Sequence, residues 1–351
     1  MMNKPVVSVI IPTYNNAKYL TDAIDSLLNQ SLNEIEILVI NDGSTDETIP
    51  VLQNYGSAIK LMNQENQGQS AAINTGIQHC ISDYVAFMDA DDVSVPQRIE
   101  LQSGFLDSHP EIGVVGSDLY YMDHNKRIIA YQRMPVLDVP IRWRGLTNVP
   151  CYNFMIRKSI LEKFNIRYPV GIPYAQDYSF LIDMLQHTRA YSIPKALLGY
   201  RMHGKNETNR DLESRLSFHV PVALKSIRLE LGIEYETVEL IKRLCALLLE
   251  GVRHYPFEAR DRAVLADLYL GLWSKFKEIH GNDSNIEDIQ KEILIRVATF
   301  ALYPPLPAGW FPVIKRLLSE DKRLPLYLLG NIIQFSKNIR YNNNIRRAHL
   351  N

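Results

Sequence analysis

A chain of 351 residues, 46% of them hydrophobic, has enough material for two separate cores. Its formal net charge of −1 removes the electrostatic reason to expect nucleic acid as a partner, because there is no cationic excess to release counterions. Three cysteines, Cys80, Cys151 and Cys245, are odd in number and far apart, which excludes a disulfide framework and a zinc-ligand spacing and fits a reducing cytoplasm.

Lys4-Pro5 is followed by the apolar run Val6 to Ile11, too short for a signal-peptide core or a membrane span, and no other segment reaches spanning length. That run is β-branched and reads as a strand. Leu20, Ala23, Ile24, Leu27 and Leu28 then recur at helical spacing. Ile35 to Ile40 is a second strand, and a helix is expected to open at Ser44, with Glu47 three residues on completing a capping box. Pro50 is awkward inside that helix and shortens it. A strand around Ile59 to Met62, a helix from Ser70 to Gln78 and a strand ending at Met88 follow. Alternating β and α segments with nearly continuous apolar strands predict a mainly parallel sheet covered on both faces. From about residue 106 the pattern is mixed, with Ile112 to Val115 strand-like. After about residue 216 it is helical, with Leu240, Leu244, Leu247 and Leu248, then Leu265, Leu268 and Leu272, at core spacing. The expected organisation is an α/β domain over 1–215, its halves 1–105 and 106–215, then a helical region over 216–351.

Polar clusters follow the strands: Thr13 to Asn15, Asp42 to Ser44, Asn66 to Gly68 and Asp89 to Asp92. In an open α/β sheet the carboxyl ends of the strands line the ligand crevice, so four clusters converge on one site. The last is the most telling. Tyr84 to Met88 is apolar and ends in Asp89, Asp91 and Asp92, like charges that repel and resist desolvation unless a cation neutralises them. That pattern points to a metal-dependent site.

Val6 to Asn15, Ile37 to Asp46, Gly68 to Gly76 and Asp89 to Asp92 together resemble, in order and spacing, the family 2 glycosyltransferases, inverting enzymes of the Rossmann-like GT-A fold. The resemblance implies that Pro12, Thr13, Tyr14 and Asn15 lie beneath a nucleobase and that Asp42 accepts from a uracil N–H. Gly68 and Asn74 would belong to the same nucleotide site. In the acidic motif it implies Asp89 at the ribose or the metal's water shell, Asp91 on Mg²⁺ or Mn²⁺, and Asp92 beside them. Asp177, in Pro173 to Tyr178, would be the general base. Arg201 and His203, in Tyr200 to Gly204, would sit near diphosphate or metal, His203 as a second metal ligand. Two positions depart from the family: Ile73 stands where many members carry a nucleotide-contacting arginine, and Gln176 where a glutamate is frequent. Simpler structural roles compete at several positions, including an Asx turn at Asp42, a packed small-residue helix at 68–76, and an N-cap at Asp177.

The implied function is transfer of a sugar from UDP to the hydroxyl of a carbohydrate or lipid-linked acceptor, in the hexosyltransferase class (EC 2.4) and in cell-surface polysaccharide or glycan synthesis. The rivals are a non-catalytic nucleotide-sugar-binding protein and a sugar nucleotidyltransferase; the latter normally needs a Gly-rich basic loop after the first strand, which Pro12 to Asn16 lacks. No Gly-x-Gly-x-x-Gly or Gly-Lys-Ser/Thr loop is present. In the C-terminal region, Pro304, Pro305 and Pro307 precede Trp310 and Phe311, and Lys315, Arg316, Lys322, Arg323, Arg340, Arg346 and Arg347 add positive charge. A packed helical appendage or homodimer contact is expected there, with peripheral contact at the inner membrane face of a cytoplasmic protein as the alternative.

Overall fold

The computed structural model describes residues 4–204, 211–235, 238–250 and 259–302. The chain forms two compact units, one holding residues 4–141 and 149–204, the other 142–148, 211–235, 238–250 and 259–302.

The first unit begins β1 (Val7–Thr13), α1 (Ala17–Leu28), β2 (Ile35–Asp42), α2 (Thr48–Gln53), β3 (Lys60–Gln64), α3 (Gln69–His79) and β4 (Tyr84–Phe87). It continues with β5 (Val93–Ser94), α4 (Arg98–Ser108), β6 (Ile112–Met122), β7 (Ile128–Gln132), α5 (Asp138–Gly145), β8 (Met155–Arg157), α6 (Lys158–Phe164), α7 (Gln176–Leu185) and β9 (Arg189–Arg201); the second unit takes over within α5. The strands make one sheet in the order β3-β2-β1-β4-β8-β6-β9-β5, with β7 added beside β6. β1, β2, β3 and β4 are mutually parallel, whereas β8 runs antiparallel to both β4 and β6. This is the mixed, mainly parallel α/β architecture expected.

Side-chain alternation along the strands divides the core in two. Val7, Val9, Ile11, Ile37 and Val39 pack with Leu20, Ala23, Ile24 and Leu27 of α1 and Ile99 and Leu106 of α4. Ile10, Leu38, Ile40 and Val85 pack with Ala72, Ile73 and Ile77 of α3 and Phe180, Leu181 and Met184 of α7. Each fully buried Leu or Ile contributes about 1.5–3 kcal/mol relative to exposure. The second set also needs a close approach at Gly76, where a Cβ would lie 2.6 Å from Ile10 Cγ2.

The helix after β2 starts later than the Ser44–Glu47 pattern predicts. Ser44 Oγ accepts instead from the backbone N–H of Asn15 at 2.9 Å, and Asp46 Oδ1 accepts from Thr48 N at 3.0 Å where the helix begins. Pro50 sits in the first turn of the six-residue α2, where a missing N–H leaves no intrahelical bond unmade.

The second unit is helical: α8 (Leu212–Leu231), α9 (Val238–Glu250), α10 (Ala259–His280) and α11 (Ile286–Leu302). Asp211 caps α8 by accepting from Glu213 N and Ser214 N. Leu244 and Leu247 are buried as their spacing predicts, but on α10 the buried stripe is Leu265, Tyr269, Leu272, Trp273 and Phe276, with Leu268 only half-buried. Trp143 packs edge-on against Trp273 and Phe276, with ring centroids 5.5 and 5.2 Å away. Glu230 joins Arg142 at 3.1 Å to His280 at 2.8 Å. The proline, aromatic and basic positions singled out beyond residue 302 lie outside the described residues. Among the described residues no helix is long and apolar enough to cross a membrane.

Candidate active site

Because β1 to β4 are parallel and adjacent, their carboxyl ends share one edge. Neighbouring strands are about 4.8 Å apart, so the ends of β2 and β4, on either side of β1, lie about 10 Å from each other. The polar residues at these ends act first on one another's loops.

Asn15, with φ at 49°, reaches the loop after β2: its Oδ1 accepts from Thr45 N at 2.7 Å and Asp46 N at 3.2 Å. Pro12 is buried within β1, and the hydroxyl of Thr13 is buried without a hydrogen-bond partner among the described residues. Tyr14 is 51% exposed, an open ring at the end of the strand. Asp42, buried at the end of β2, reaches the loop before α3: its Oδ1 accepts from Gln64 Nε2 at 2.7 Å and Gln67 N at 2.9 Å, and its Oδ2 from Gly68 N at 2.8 Å. A carboxylate offers about four acceptor positions, so Asp42 keeps capacity for one more donor. Gly68 stands at φ +88°, a left-handed conformation that favours glycine.

The three aspartates after β4 have different fates. Asp89 is exposed and accepts from Gln69 Nε2 at 2.9 Å. Asp91 Oδ2 lies 2.8 Å from His203 Nε2. Asp92 is turned inward and accepts at Oδ1 from Arg201 N at 3.0 Å; burial pushes its carboxyl well above the usual range, with Asp91 and Asp89 adding to the rise. Its place is structural.

Arg201 is fully buried and braces this loop. Its Nε donates to the Asp91 carbonyl at 2.8 Å, Nη2 to Asp22 Oδ2 at 2.8 Å and Nη1 to the His124 carbonyl at 3.3 Å, and the guanidinium lies 4.7 Å from the Tyr19 ring centroid. The same ring stacks on His203 at 4.9 Å. Arg201 is thereby committed to holding Asp91 rather than open to a diphosphate.

Asn74 is also engaged within the protein: Nδ2 donates to the Tyr168 carbonyl and Oδ1 accepts from Tyr168 N, both at 2.9 Å. Ile73 is a core residue of α3. Asp177, in the first turn of α7, is exposed and accepts at Oδ1 from Tyr168 Oη at 2.9 Å. Desolvation by the protein packed around its carboxyl pushes the pKa up and the Tyr168 bond pulls it back; access to water tempers the rise.

Sequence reasoning missed Gln64, Gln69, Tyr19, Asp22 and Tyr168, which orient the residues it named. Gln69 could have been suspected from its place directly after Gly68; Asp22 and Tyr168 carry no local signal.

The donor set of Asp91 and His203, a hard carboxylate oxygen beside an imidazole nitrogen, is of a chemistry that a divalent cation accepts. Asp91 Oδ2 and His203 Nε2 are hydrogen-bonded to each other at 2.8 Å, and would be the carboxylate and imidazole donors to such an ion. Among the described residues no group of three or more His, Cys, Asp or Glu side chains forms a closed metal cage. A carboxylate and an imidazole alone suit an ion that takes its remaining oxygens from water and phosphate.

The model of Glycosyl transferase family 2 matches residues 8–178. An uncharacterized glycosyltransferase of Haemophilus influenzae is 32% identical over 223 residues, spanning 60% of this chain and 69% of the relative. The chondroitin synthase of Escherichia coli is 25% identical over 66% of this chain and 34% of its own length. Among solved structures, S. aureus TarS 1-349 in complex with UDP-GlcNAc aligns with a TM-score of 0.53 at 18% identity, covering 97% of this chain and 90% of that one. The Pyrobaculum calidifontis mannosyltransferase PcManGT in complex with GDP-Man and Mn²⁺ aligns with a TM-score of 0.50 at 16% identity, covering 93% and 88%. The structural likenesses speak for the GT-A fold, and the family model and sequence relatives for descent: the chain belongs to glycosyl transferase family 2, enzymes that transfer sugars.

Proposed function

We propose that the protein transfers a sugar from a UDP-sugar to the hydroxyl of a carbohydrate or lipid-linked acceptor, with inversion at the anomeric carbon. The observation that carries this reading is the pairing of Asp91 with His203 on the sheet edge where Asp42 ends β2 and Tyr14 follows β1. The open ring of Tyr14 suits stacking under a base, and the remaining acceptor position of Asp42 suits the imide N–H of uracil. The complex of TarS with UDP-GlcNAc supports uracil as the base, and the likeness to a chondroitin synthase supports a carbohydrate acceptor.

Asp91 and His203 would hold Mn²⁺ or Mg²⁺, and a cation bound there supplies Lewis-acid neutralisation of charge on the departing diphosphate. Asp177 takes the proton of the attacking hydroxyl at a carboxylate oxygen, with Tyr168 Oη orienting the group. One displacement gives one inversion.

A thermal-shift screen of nucleotides and nucleotide sugars with Mn²⁺, followed by the anomeric configuration of any product, tests the reading. A UDP-selective, metal-dependent rise and an inverted product are expected. Equal response to all nucleotides, or a retained configuration, would refute it.

A further inference from the structure

Two glutamines lie between the acidic loop and the helix that carries Asp177. Gln69, the first residue of α3, donates from Nε2 to Asp89 Oδ1 at 2.9 Å and accepts at Oε1 from Gln176 Nε2 at 2.8 Å. Gln176 is the first residue of α7, is buried, and directly precedes Asp177.

The direction of these bonds is dictated from one end. An ionised carboxylate only accepts, so the amide nitrogen of Gln69 must face Asp89 and its oxygen must face position 176. Position 176 must then donate. A glutamine can, whereas an ionised glutamate would set acceptor against acceptor, or turn Gln69 over and set its oxygen against Asp89. The departure at 176 is therefore matched by the glutamine at 69. The bond also anchors an otherwise costly start to α7: Ala175 stands at φ 60°, where a residue with a Cβ is strained by about 1–3 kcal/mol, and it is followed at once by the tethered Gln176.

We propose that Gln69 and Gln176 are positioning residues, a polarised amide relay that ties Asp89 to the first turn of α7 and so holds Asp177 in register with the donor. The positioning role rests on the reading of Asp177 as the base; the relay itself does not.

The relay is tested without ligand by a double-mutant cycle on the thermal midpoint of the full chain. Gln176→Glu should lower the midpoint at neutral pH. Asp89→Asn should recover much of that loss, because an amide at 89 can donate to an inverted Gln69. The recovery should vanish when the cycle is repeated with Gln69→Met. Recovery that persists with Gln69→Met would mean through-space charge repulsion, and no recovery in either cycle would mean no coupling; each overturns the relay. The positioning role is read with Gln176→Met, which keeps bulk and loses the bond: kcat should fall about 10- to 100-fold with the donor KM unchanged, and an unchanged kcat would overturn it. If the wild-type protein turns over no sugar nucleotide, the transferase reading fails while the midpoint cycle still decides the relay.

Discussion

Asn74 holds the backbone of Tyr168 by both of its amide atoms, and the hydroxyl of Tyr168 in turn donates to Asp177. The ring of Tyr168 is wedged between Phe87 of β4 and Phe180 of α7, with centroids 5.5 and 4.2 Å away. A residue in the middle of α3 is thereby linked to the proposed base through one tyrosine. Asn74→Ala removes both bonds and should cost about 1–3 kcal/mol of stability. Its kinetic signature should be a lower kcat with donor affinity little changed. Denaturant unfolding and a kcat–KM comparison check this; a selective loss of donor affinity would make Asn74 a ligand contact instead.

Asp177→Asn keeps an oxygen for Tyr168 and so should fold and bind UDP normally. Loss of the base should lower kcat by about 10²- to 10⁴-fold. A base at Asp177 acts only when ionised, and desolvation of its carboxyl shifts its pKa upward, so on the proposed reading activity should fall on acidification at a pH above that of an ordinary aspartate. Tyr168→Phe removes the bond that pulls the pKa down and should move the acid limb of kcat to higher pH. A limb that stays in place under Tyr168→Phe would detach that tyrosine from the titration.

Much of the first unit was legible because its strands are buried on both faces and its loops carry polar clusters. Val6 to Ile11 and Ile35 to Ile40 read as strands from β-branched content, helix periodicity located α1, and the helix expected over Ser70 to Gln78 is α3 within one residue at each end. Contacts between loops were not legible. Ser44 looks like a cap by spacing, yet its hydroxyl serves Asn15, a partner 29 positions away that no local pattern encodes. Asp92 and Arg201 carry charge and so resemble ligand groups, but both are buried and bonded to each other across 109 positions. The same limit hid the amide bonds of Gln69, whose partners come from two distant segments.

Asp91 and His203 should act together on nucleotide binding. Asp91→Ala and His203→Ala should each weaken UDP affinity in Mn²⁺, measured calorimetrically, with little change when Mn²⁺ is omitted. Tyr19→Leu, which removes the ring stacked on His203, should give a weaker form of the same defect. If Asp91→Ala left the Mn²⁺ dependence of UDP binding intact, the metal assignment would fall.

His219, buried in the helical unit, is expected to make stability acid-sensitive independently of catalysis. Its Nε2 lies 2.8 Å from the Thr147 carbonyl, so the neutral ring donates there. Burial lowers its pKa to about 4, and Arg215 and Arg144 push the same way, while the Thr147 bond opposes them. In the unfolded chain the same imidazole has a pKa of about 6.5. Between these values the unfolded chain binds a proton that the folded chain refuses, so stability is complete above about pH 6.5 and falls as pH drops towards 4. The full difference corresponds to roughly 3 kcal/mol. His219→Gln keeps an N–H donor without titrating, and should lose less stability than wild type between pH 7.5 and pH 5 in matched denaturant unfolding. Equal losses in the two proteins would show that other groups set the acid sensitivity of this unit.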